Sequence, residues 1–469
     1  MGSFDFGFHE FDGDEDAARE RLAEFVRAYE DGEAGFFDSH TLEAIASFYF
    51  EAERYDEALG VVDRLLDQAP HSADAWMRRG IVLAHLDRNA EALLAYDTAL
   101  GFNPYDVETL VNRGIALDQL GRTDEALAAY EAALELDPVS EDALFNLGVV
   151  LERAERLDEA IDAFERCAAV ADDHPEVHYE IGYCLDRLGR DEESLVSYDR
   201  HLDIDPFSAD AWYNKGIVLN RLGRYDEALS AYDFALAIQD DFGSAHYNRG
   251  NTLANTGDIA GAIAAYERVL ALEGPEPTTY YNLGLAYEEL RDFETAREQF
   301  GRALLLDERY AEAWYGAGCC HDALGQTAEA LDAFARAVAC APEVAEFWYA
   351  HADALYTAGR TAEALDAYRT VVRMDPANGD GWLDLADTLF EAGDRDAAFE
   401  AYREARAALP DADRVYLREA KALYAVGDRE ASIRSVQTAF QLDPAERDGF
   451  AAEFPELYQD PLVRTRLRL

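Results

Sequence analysis

The sequence predicts an all-α protein, a right-handed α-solenoid of twelve helix-turn-helix repeats with short helical caps. Three observations predict it: a period of 34 residues without insertion or deletion, small residues at fixed positions, and a closing proline in most periods. Stacked helix pairs of this kind bury one continuous core and coil into a superhelix. The repeats begin at Ser39, Ala73, Val107, Glu141, Pro175, Ala209, Gly243, Pro277, Ala311, Ala345, Gly379 and Asp413.

The period divides the chain into three predicted segments. Residues 1–38 form an acidic, Phe-rich tail and an N-terminal capping helix from about Glu15 to Glu30, and residues 39–446 form the twelve repeats. Residues 447–469 form a C-terminal capping helix and a tail. Segments below about 40 residues rarely build their own core. The function is therefore expected on the repeats themselves.

The first helix of each repeat is indicated by an apolar stripe at positions 4, 7, 8 and 11. All five tryptophans occupy position 4, and glycine or alanine occupies position 8. Small residues at position 8 let a second helix approach closely. The eight glycines at position 8 are Gly80, Gly114, Gly148, Gly182, Gly216, Gly250, Gly284 and Gly318.

The second helix carries alanine at position 20 and an aromatic residue at position 24 in ten repeats each. The aromatic rings supply the bulk that fills the seam between helices. Turn glycines such as Gly121 and Gly223 predict a positive φ where the first helix ends. Closing prolines such as Pro104 predict the end of the second helix.

This pattern resembles the tetratricopeptide repeat family. One repeat matches its signature almost completely through Trp76, Gly80, Leu83, Ala92, Tyr96, Ala99 and Pro104. The resemblance implies a concave surface made by positions 2, 5, 6, 9, 12 and 13 of the first helices. It also implies a protein-interaction scaffold that binds an extended peptide or partner protein in that groove. A second interpretation is a structural homo-oligomer joined through ends or convex faces, with no groove ligand.

Three sets of side chains are the candidate peptide-binding residues of the groove. Asparagines at position 6 can donate to and accept from a peptide backbone; they are Asn112, Asn146, Asn214, Asn248 and Asn282. Tyrosines at position 5 offer flat contact surfaces or pack against neighbouring helices; they are Tyr179, Tyr213, Tyr247 and Tyr281. Arginines at position 13 contact a carboxylate or remain solvated; they are Arg153, Arg187 and Arg221. As surface groups, the asparagines are expected to contribute little to stability.

The charge of the chain restricts its partners and its environment. A formal net charge of -55, from 96 acidic and 41 basic residues, argues against nucleic-acid binding. Only Lys215 and Lys421 are lysines, and an acidic, lysine-poor surface indicates a halophilic source, where cations screen self-repulsion. An acidic patch for a basic partner is the alternative explanation.

The remaining predictions concern location and chemistry. The sequence has no apolar run long enough to span a membrane and no signal-peptide pattern at its start, so we expect a cytoplasmic protein, a monomer or weak homo-oligomer. Its five cysteines are expected to be reduced thiols. We predict no enzymatic activity, no cofactor and no metal site. His174 and His178 are four residues apart, but Pro175 interrupts any helix between them.

Overall fold

A computed structural model describes residues 15–31 and 37–468 of the chain. These residues form 28 α-helices and no strand. Helices α2 to α25 pack as consecutive pairs, each pair corresponding to one repeat. The predicted all-α repeat architecture is therefore confirmed.

The first of two compact units is Met1–Asp240. Its helices are α1 (Glu15–Glu30), α2 (Ser39–Glu51), α3 (Tyr55–Gln68), α4 (Ala73–His85), α5 (Asn89–Phe102), α6 (Val107–Gln119), α7 (Thr123–Leu136), α8 (Glu141–Arg153), α9 (Leu157–Val170), α10 (Val177–Arg187), α11 (Asp191–Ile204), α12 (Ala209–Arg221) and α13 (Tyr225–Ile238).

The second unit is Asp241–Leu469. Its helices are α14 (Gly243–Asn255), α15 (Ile259–Glu273), α16 (Pro277–Glu289), α17 (Phe293–Leu306), α18 (Ala311–Ala323), α19 (Thr327–Cys340), α20 (Ala345–Thr357), α21 (Thr361–Met374), α22 (Gly379–Glu391), α23 (Arg395–Ala408), α24 (Asp413–Ala425), α25 (Arg429–Leu442), α26 (Glu446–Glu453), α27 (Pro455–Gln459) and α28 (Pro461–Leu467).

The sequence period sets the helix boundaries almost residue by residue. Eleven of the twelve first helices begin at the first residue of their repeat, and all second helices begin at position 17. The exception is α10, which begins at Val177, two residues after Pro175, whereas α16 begins at the equivalent proline, Pro277. There the backbone N–H groups of Glu176 and Val177 donate to Nδ1 of His174, each over 3.2 Å. The N-cap residue, Glu176, makes no side-chain capping bond of its own, so the His174 ring satisfies two backbone donors at the start of this helix.

The turn between the two helices has a left-handed residue at position 15 of every repeat. Eight repeats use glycine there, including Gly121 at φ 70° and Gly223 at φ 74°. The other four place Glu53, Asp87, Glu155 and Arg291 at φ values of 56°, 57°, 60° and 58°. An L-residue in this conformation costs roughly 1–2 kcal/mol relative to right-handed backbone. The predicted positive φ is confirmed, and four repeats tolerate it without glycine.

The glycine at position 8 makes room for the aromatic ring at position 24 of the same repeat. A Cβ on Gly216 would lie 2.5 Å from Cε1 of Tyr232, and a Cβ on Gly148 would lie 2.5 Å from Cε1 of Phe164. Both rings are almost fully buried, with Phe164 at 0% exposure. The sequence predicted that the two helices approach closely. The structure shows how: the position-24 ring packs directly on the position-8 glycine.

The two flanks of the array contribute apolar side chains to its ends. Tyr29 of α1 contacts the rings of Phe37 and Tyr49 edge-on. At the other end, buried side chains of α26 to α28 cover the last repeat, among them Phe450 and Val463. The predicted Phe-rich segment, with Phe4, Phe6, Phe8 and Phe11, lies outside the described residues.

Candidate functional site

The first-helix face is our name for the surface formed by positions 2, 5, 6, 9, 12 and 13 of the first helices. On it, the position-5 ring packs against the position-24 ring of the same repeat in seven successive repeats. Edge-on and tilted contacts of this kind are favourable. Centroids lie 5.7 to 6.3 Å apart in the pairs Phe145–Phe164, Tyr179–Tyr198, Tyr213–Tyr232, Tyr247–Tyr266, Tyr281–Phe300, Tyr315–Phe334 and Tyr349–Tyr368.

Two of the predicted asparagines bind the tyrosine of the preceding repeat. Nδ2 of Asn214 donates to the hydroxyl of Tyr179 over 3.0 Å. Nδ2 of Asn282 donates to the hydroxyl of Tyr247 over 2.9 Å. These side chains therefore join neighbouring repeats, and the expectation that they contribute little to stability is not supported by their contacts.

The asparagines of the third and fourth repeats have no tyrosine before them, because position 5 holds Met77 and then Val111. Asn146 turns back and donates to the carbonyl of Asp142 over 2.8 Å. Asn112 is only 5% exposed, and its Nδ2 has no hydrogen-bond partner among the residues that the structure describes. A buried donor in this state costs about 1–3 kcal/mol. Among the predicted asparagines, Asn112 is thus the one with a buried amide group that lacks a hydrogen-bond partner in the described residues.

The other predicted polar residues at positions 5 and 6 are partly buried. The carbonyl of Asn248 accepts from Oγ1 of Thr252 over 2.9 Å. The ring of Tyr281 also lies 5.1 Å from the ring of Tyr310. Position 6 of the following repeat is Gly316, so the Tyr281 hydroxyl has no asparagine beside it of the kind that Asn214 provides for Tyr179.

Glu180 interrupts the asparagines at position 6 of the fifth repeat. The preceding position 5 is Phe145, which has no hydroxyl to accept from an amide. Burial, together with the carboxylates of Glu152 and Glu176, raises the pKa of Glu180 to about 7. This acid therefore titrates near neutral pH.

The three predicted arginines are engaged by carboxylates of the chain itself. Arg153 pairs with Asp118 of the preceding repeat over 2.6 Å. Arg187 pairs with Glu155. Arg221 pairs with Asp191 over 2.6 Å and with Asp186, and hydrogen bonds to these two raise its pKa. A ligand carboxylate would have to displace an internal partner, so the arginine row is the less available part of the predicted site.

Sequence reasoning missed a polar network in the last repeats. The hydroxyl of Tyr349 donates to Oδ2 of Asp384 over 2.5 Å, and Arg418 pairs with Asp384 over 2.9 Å. The hydroxyl of Tyr402 donates to Asp387, which also pairs with Arg418. The signal was present in the sequence, because position 9 changes there from apolar to aspartate.

A cavity of about 460 Å³ opens on the first-helix face of the ninth and tenth repeats. Ala350, at position 6 of the tenth repeat, lines the cavity with a short side chain. Asp353 lies in this cavity with Cys319 and Asp322. Burial raises the pKa of Asp353 to about 6. The cavity was not predicted, although the short side chain of Ala350 at position 6 could have indicated it.

Acidic groups come together once more near the end of the array. The carboxylates of Asp413, Asp443 and Glu446 lie within 4.8 Å of one another, and Asp443 is exposed. Burial and the neighbouring Asp413 raise the pKa of Glu446. Clustered acids are expected on a chain of this charge, so these residues do not indicate a metal site.

The packed helix pairs and the first-helix face define a helical repeat protein. Models of one tetratricopeptide repeat family match residues 44–107, 111–173, 281–345 and 349–413, which is more than half of the chain. A second tetratricopeptide repeat model matches residues 207–273. The chain belongs to the tetratricopeptide repeat family.

Several solved structures are similar to parts of this chain. YrrB, described as a TPR protein with an unusual peptide-binding site, is 24% identical, covers 39% of this chain and 95% of its own, and has a TM-score of 0.36. The C-terminal part of a repeat protein from Cytophaga hutchinsonii is 19% identical over 51% of this chain and 98% of its own, with a TM-score of 0.45. The APC/C hetero-tetramer Cut9–Hcn1 is 15% identical over 86% of this chain and 99% of its own, with a TM-score of 0.42. A search of curated proteins returned no match.

The family has a general function in protein interaction. Tetratricopeptide repeat proteins typically act as protein-interaction scaffolds, bind protein or peptide partners and are generally non-catalytic. Among the described helices, none is both long and apolar enough to cross a membrane.

Proposed function

We propose that this chain is a non-catalytic cytoplasmic scaffold that binds an extended peptide segment of a partner protein on its first-helix face. In the first unit the binding residues are Asn112, Asn146 and Asn214 with Tyr179 and Tyr213. In the second unit the proposed binding residues are Asn248 and Asn282 with Tyr247 and Tyr281. The observation that carries it is the buried, unpartnered amide of Asn112.

Asn112 offers what an extended peptide requires. Because Nδ2 is buried, the carboxamide would have to turn towards the first-helix face; a peptide carbonyl would then accept from Nδ2 and remove the cost of the unsatisfied donor. Ile115 and Val149, one turn further along α6 and α8, are partly buried apolar residues. They would cover an apolar side chain of the same peptide.

The later asparagines would accept rather than donate. Nδ2 of Asn214 and of Asn282 is used by a tyrosine, and among the described residues no donor reaches Oδ1 of either. Each carboxamide oxygen could accept a peptide N–H. The asparagines thus supply a donor in the third repeat and acceptors in the sixth and eighth.

Photo-crosslinking in the source cell, at its native salt, tests the location of binding. A benzophenone amino acid replaces Ile115 on the first-helix face or, as control, Leu94 on α5, which is 67% exposed. We expect one discrete adduct from position 115 and none of that mass from position 94. The Asn112→Leu change should abolish that adduct while leaving helicity unchanged. An adduct that forms equally from position 94, or that survives Asn112→Leu, overturns the proposal.

A further inference from the structure

A second cavity, of about 590 Å³, lies among α21, α22 and α23 of the tenth and eleventh repeats. Its walls are two second helices and positions 4, 7 and 11 of α22, which are not part of the first-helix face, so it is separate from the proposed peptide site. Its lining includes Leu385 and Leu389, which are 3% exposed. Trp382 also lines it, and its Nε1 donates to the carbonyl of Pro376 over 3.1 Å. The interior of the cavity is thus apolar and fixed in position.

The charge of this cavity differs from that of the chain as a whole. Arg369, Arg373 and Arg403 line it, together with only two acidic residues, whereas the chain has 96 acidic and 41 basic residues. Arg369 pairs with Asp366 over 3.2 Å. Arg403 lies 3.6 Å from Glu404.

Arg373 lacks such a partner within the described part of the chain. Its guanidinium donates to Oγ1 of Thr370 over 3.1 Å and forms no ion pair with any described residue. A guanidinium binds a carboxylate through two parallel, charge-assisted hydrogen bonds. The cavity therefore suits a ligand that combines an apolar side chain with carboxylates.

We propose that this cavity binds the N-terminal segment, residues 1–14, of a second copy of the chain. The segment has four phenylalanines, four acidic residues and no lysine or arginine. A ring from Phe4, Phe6 or Phe8 would enter the apolar interior, and the neighbouring acids would meet the arginines of the rim. The complementarity of charge and of apolar content is the reason for this occupant.

The proposal implies head-to-tail association. Because the segment and the cavity are different surfaces, each copy can bind one neighbour and be bound by another, which gives rings or open chains. At low salt the net charge of -55 opposes association. At about 1 M salt the screening length falls to about 3 Å, so the long-range repulsion fades, the exposed arginine–carboxylate pairs weaken only in part, and the burial of the phenylalanine ring is unaffected. Association should therefore strengthen with salt.

The binding test uses a fluorescent peptide of residues 1–14 in molar KCl. The peptide is titrated with the full chain carrying Phe4→Ser, Phe6→Ser and Phe8→Ser, so that its own segment does not compete. We expect saturable binding, weakened roughly twofold to fivefold by Arg373→Gln, because an exposed ion pair is worth at most about 1 kcal/mol. The control Arg336→Gln, at an exposed arginine of α19, should bind as the parent does.

The association test is sedimentation of the unmodified chain over a range of concentrations. We expect a mass that rises with concentration and returns to the monomer when Phe4, Phe6 and Phe8 are changed to serine. A peptide that does not bind, equal binding by Arg373→Gln, or a monomer at every concentration overturns the proposal. Asn112→Leu should leave both results unchanged, which separates this proposal from the peptide site.

Discussion

Asn214 donates a hydrogen bond to the hydroxyl of Tyr179 over 3.0 Å, across the junction between the fifth and sixth repeats. The Tyr179 ring lies 5.9 Å from the ring of Tyr198 in its own repeat. One tyrosine thus links the second helix of its repeat to the first helix of the next. Nearest-neighbour coupling of this kind is what makes a repeat array cooperative.

Removing the Tyr179 hydroxyl should weaken this junction. We expect Tyr179→Phe to lower the free energy of unfolding by about 0.5–1.5 kcal/mol, because one partly buried hydrogen bond is lost. Hydrogen exchange should quicken in α10 and α12 rather than throughout the array. Tyr105→Phe is the matched control, since Tyr105 is 75% exposed. Equal effects of the two changes would contradict the coupling role.

Adding one methyl group at Gly216 should be costly. Its Cβ would lie 2.5 Å from the buried Tyr232 ring, and overpacking of this kind costs about 1–3 kcal/mol. Gly101→Ala on α5 is the control, because its Cβ would meet nothing within 4 Å, and it should stabilise by up to about 1 kcal/mol. Denaturant unfolding measures the free energy of unfolding, which should fall in the Gly216→Ala variant and rise in the Gly101→Ala variant.

The backbone at Arg291 is strained, because a residue with a side chain adopts a left-handed conformation there, and glycine should relieve this strain. Arg291→Gly should raise the free energy of unfolding by a few tenths to about 1 kcal/mol, because glycine adopts φ 58° without a steric penalty but gains unfolded-state freedom. The reverse change, Gly325→Ala at φ 72°, should destabilise. Thermal melting of both variants measures this, and a melting temperature lowered by Arg291→Gly would refute the role of strain.

Glu180 should make stability depend on pH. Burial raises its pKa to about 7 in the folded chain, above the unfolded value of about 4.3, so between these values the folded state binds more protons. The contribution of Glu180 to the free energy of unfolding is fully present below its pKa in the unfolded chain and is lost as pH rises through about 7. We expect Glu180→Gln to become increasingly stabilising relative to the parent between pH 5 and pH 8. Denaturation midpoints measure this, with Glu192→Gln, at an exposed acid, as control.

Stability should also depend strongly on salt. With a net charge of -55, repulsion along the chain should fade as the screening length falls from about 10 Å at 0.1 M to about 3 Å at 1 M. The melting temperature should rise steeply from dilute buffer to molar KCl. A flat profile would contradict the halophilic interpretation.

The sequence by itself determined the helices, their boundaries and their pairing. The 34-residue period placed eleven of the twelve first helices at their first residue, because glycine, proline and apolar stripes act locally. The later start of α10 did not follow from Pro175, because α16 begins at the equivalent Pro277. The hydrogen bonds to the His174 ring likewise needed the three-dimensional position of that ring. Family membership followed from the same local pattern.

Only the tertiary structure decided which polar side chains remain available. Asn112 and Asn214 occupy the same repeat position, yet one amide is unpartnered and the other binds Tyr179. The difference depends on the residue 35 positions earlier, Met77 or Tyr179, because stacking brings position 5 of one repeat to position 6 of the next. The cavity lined by Arg373 likewise exists only where three helices meet. Hydrogen bonding and cavity volume are set by neighbours in space, which a period along the chain does not specify.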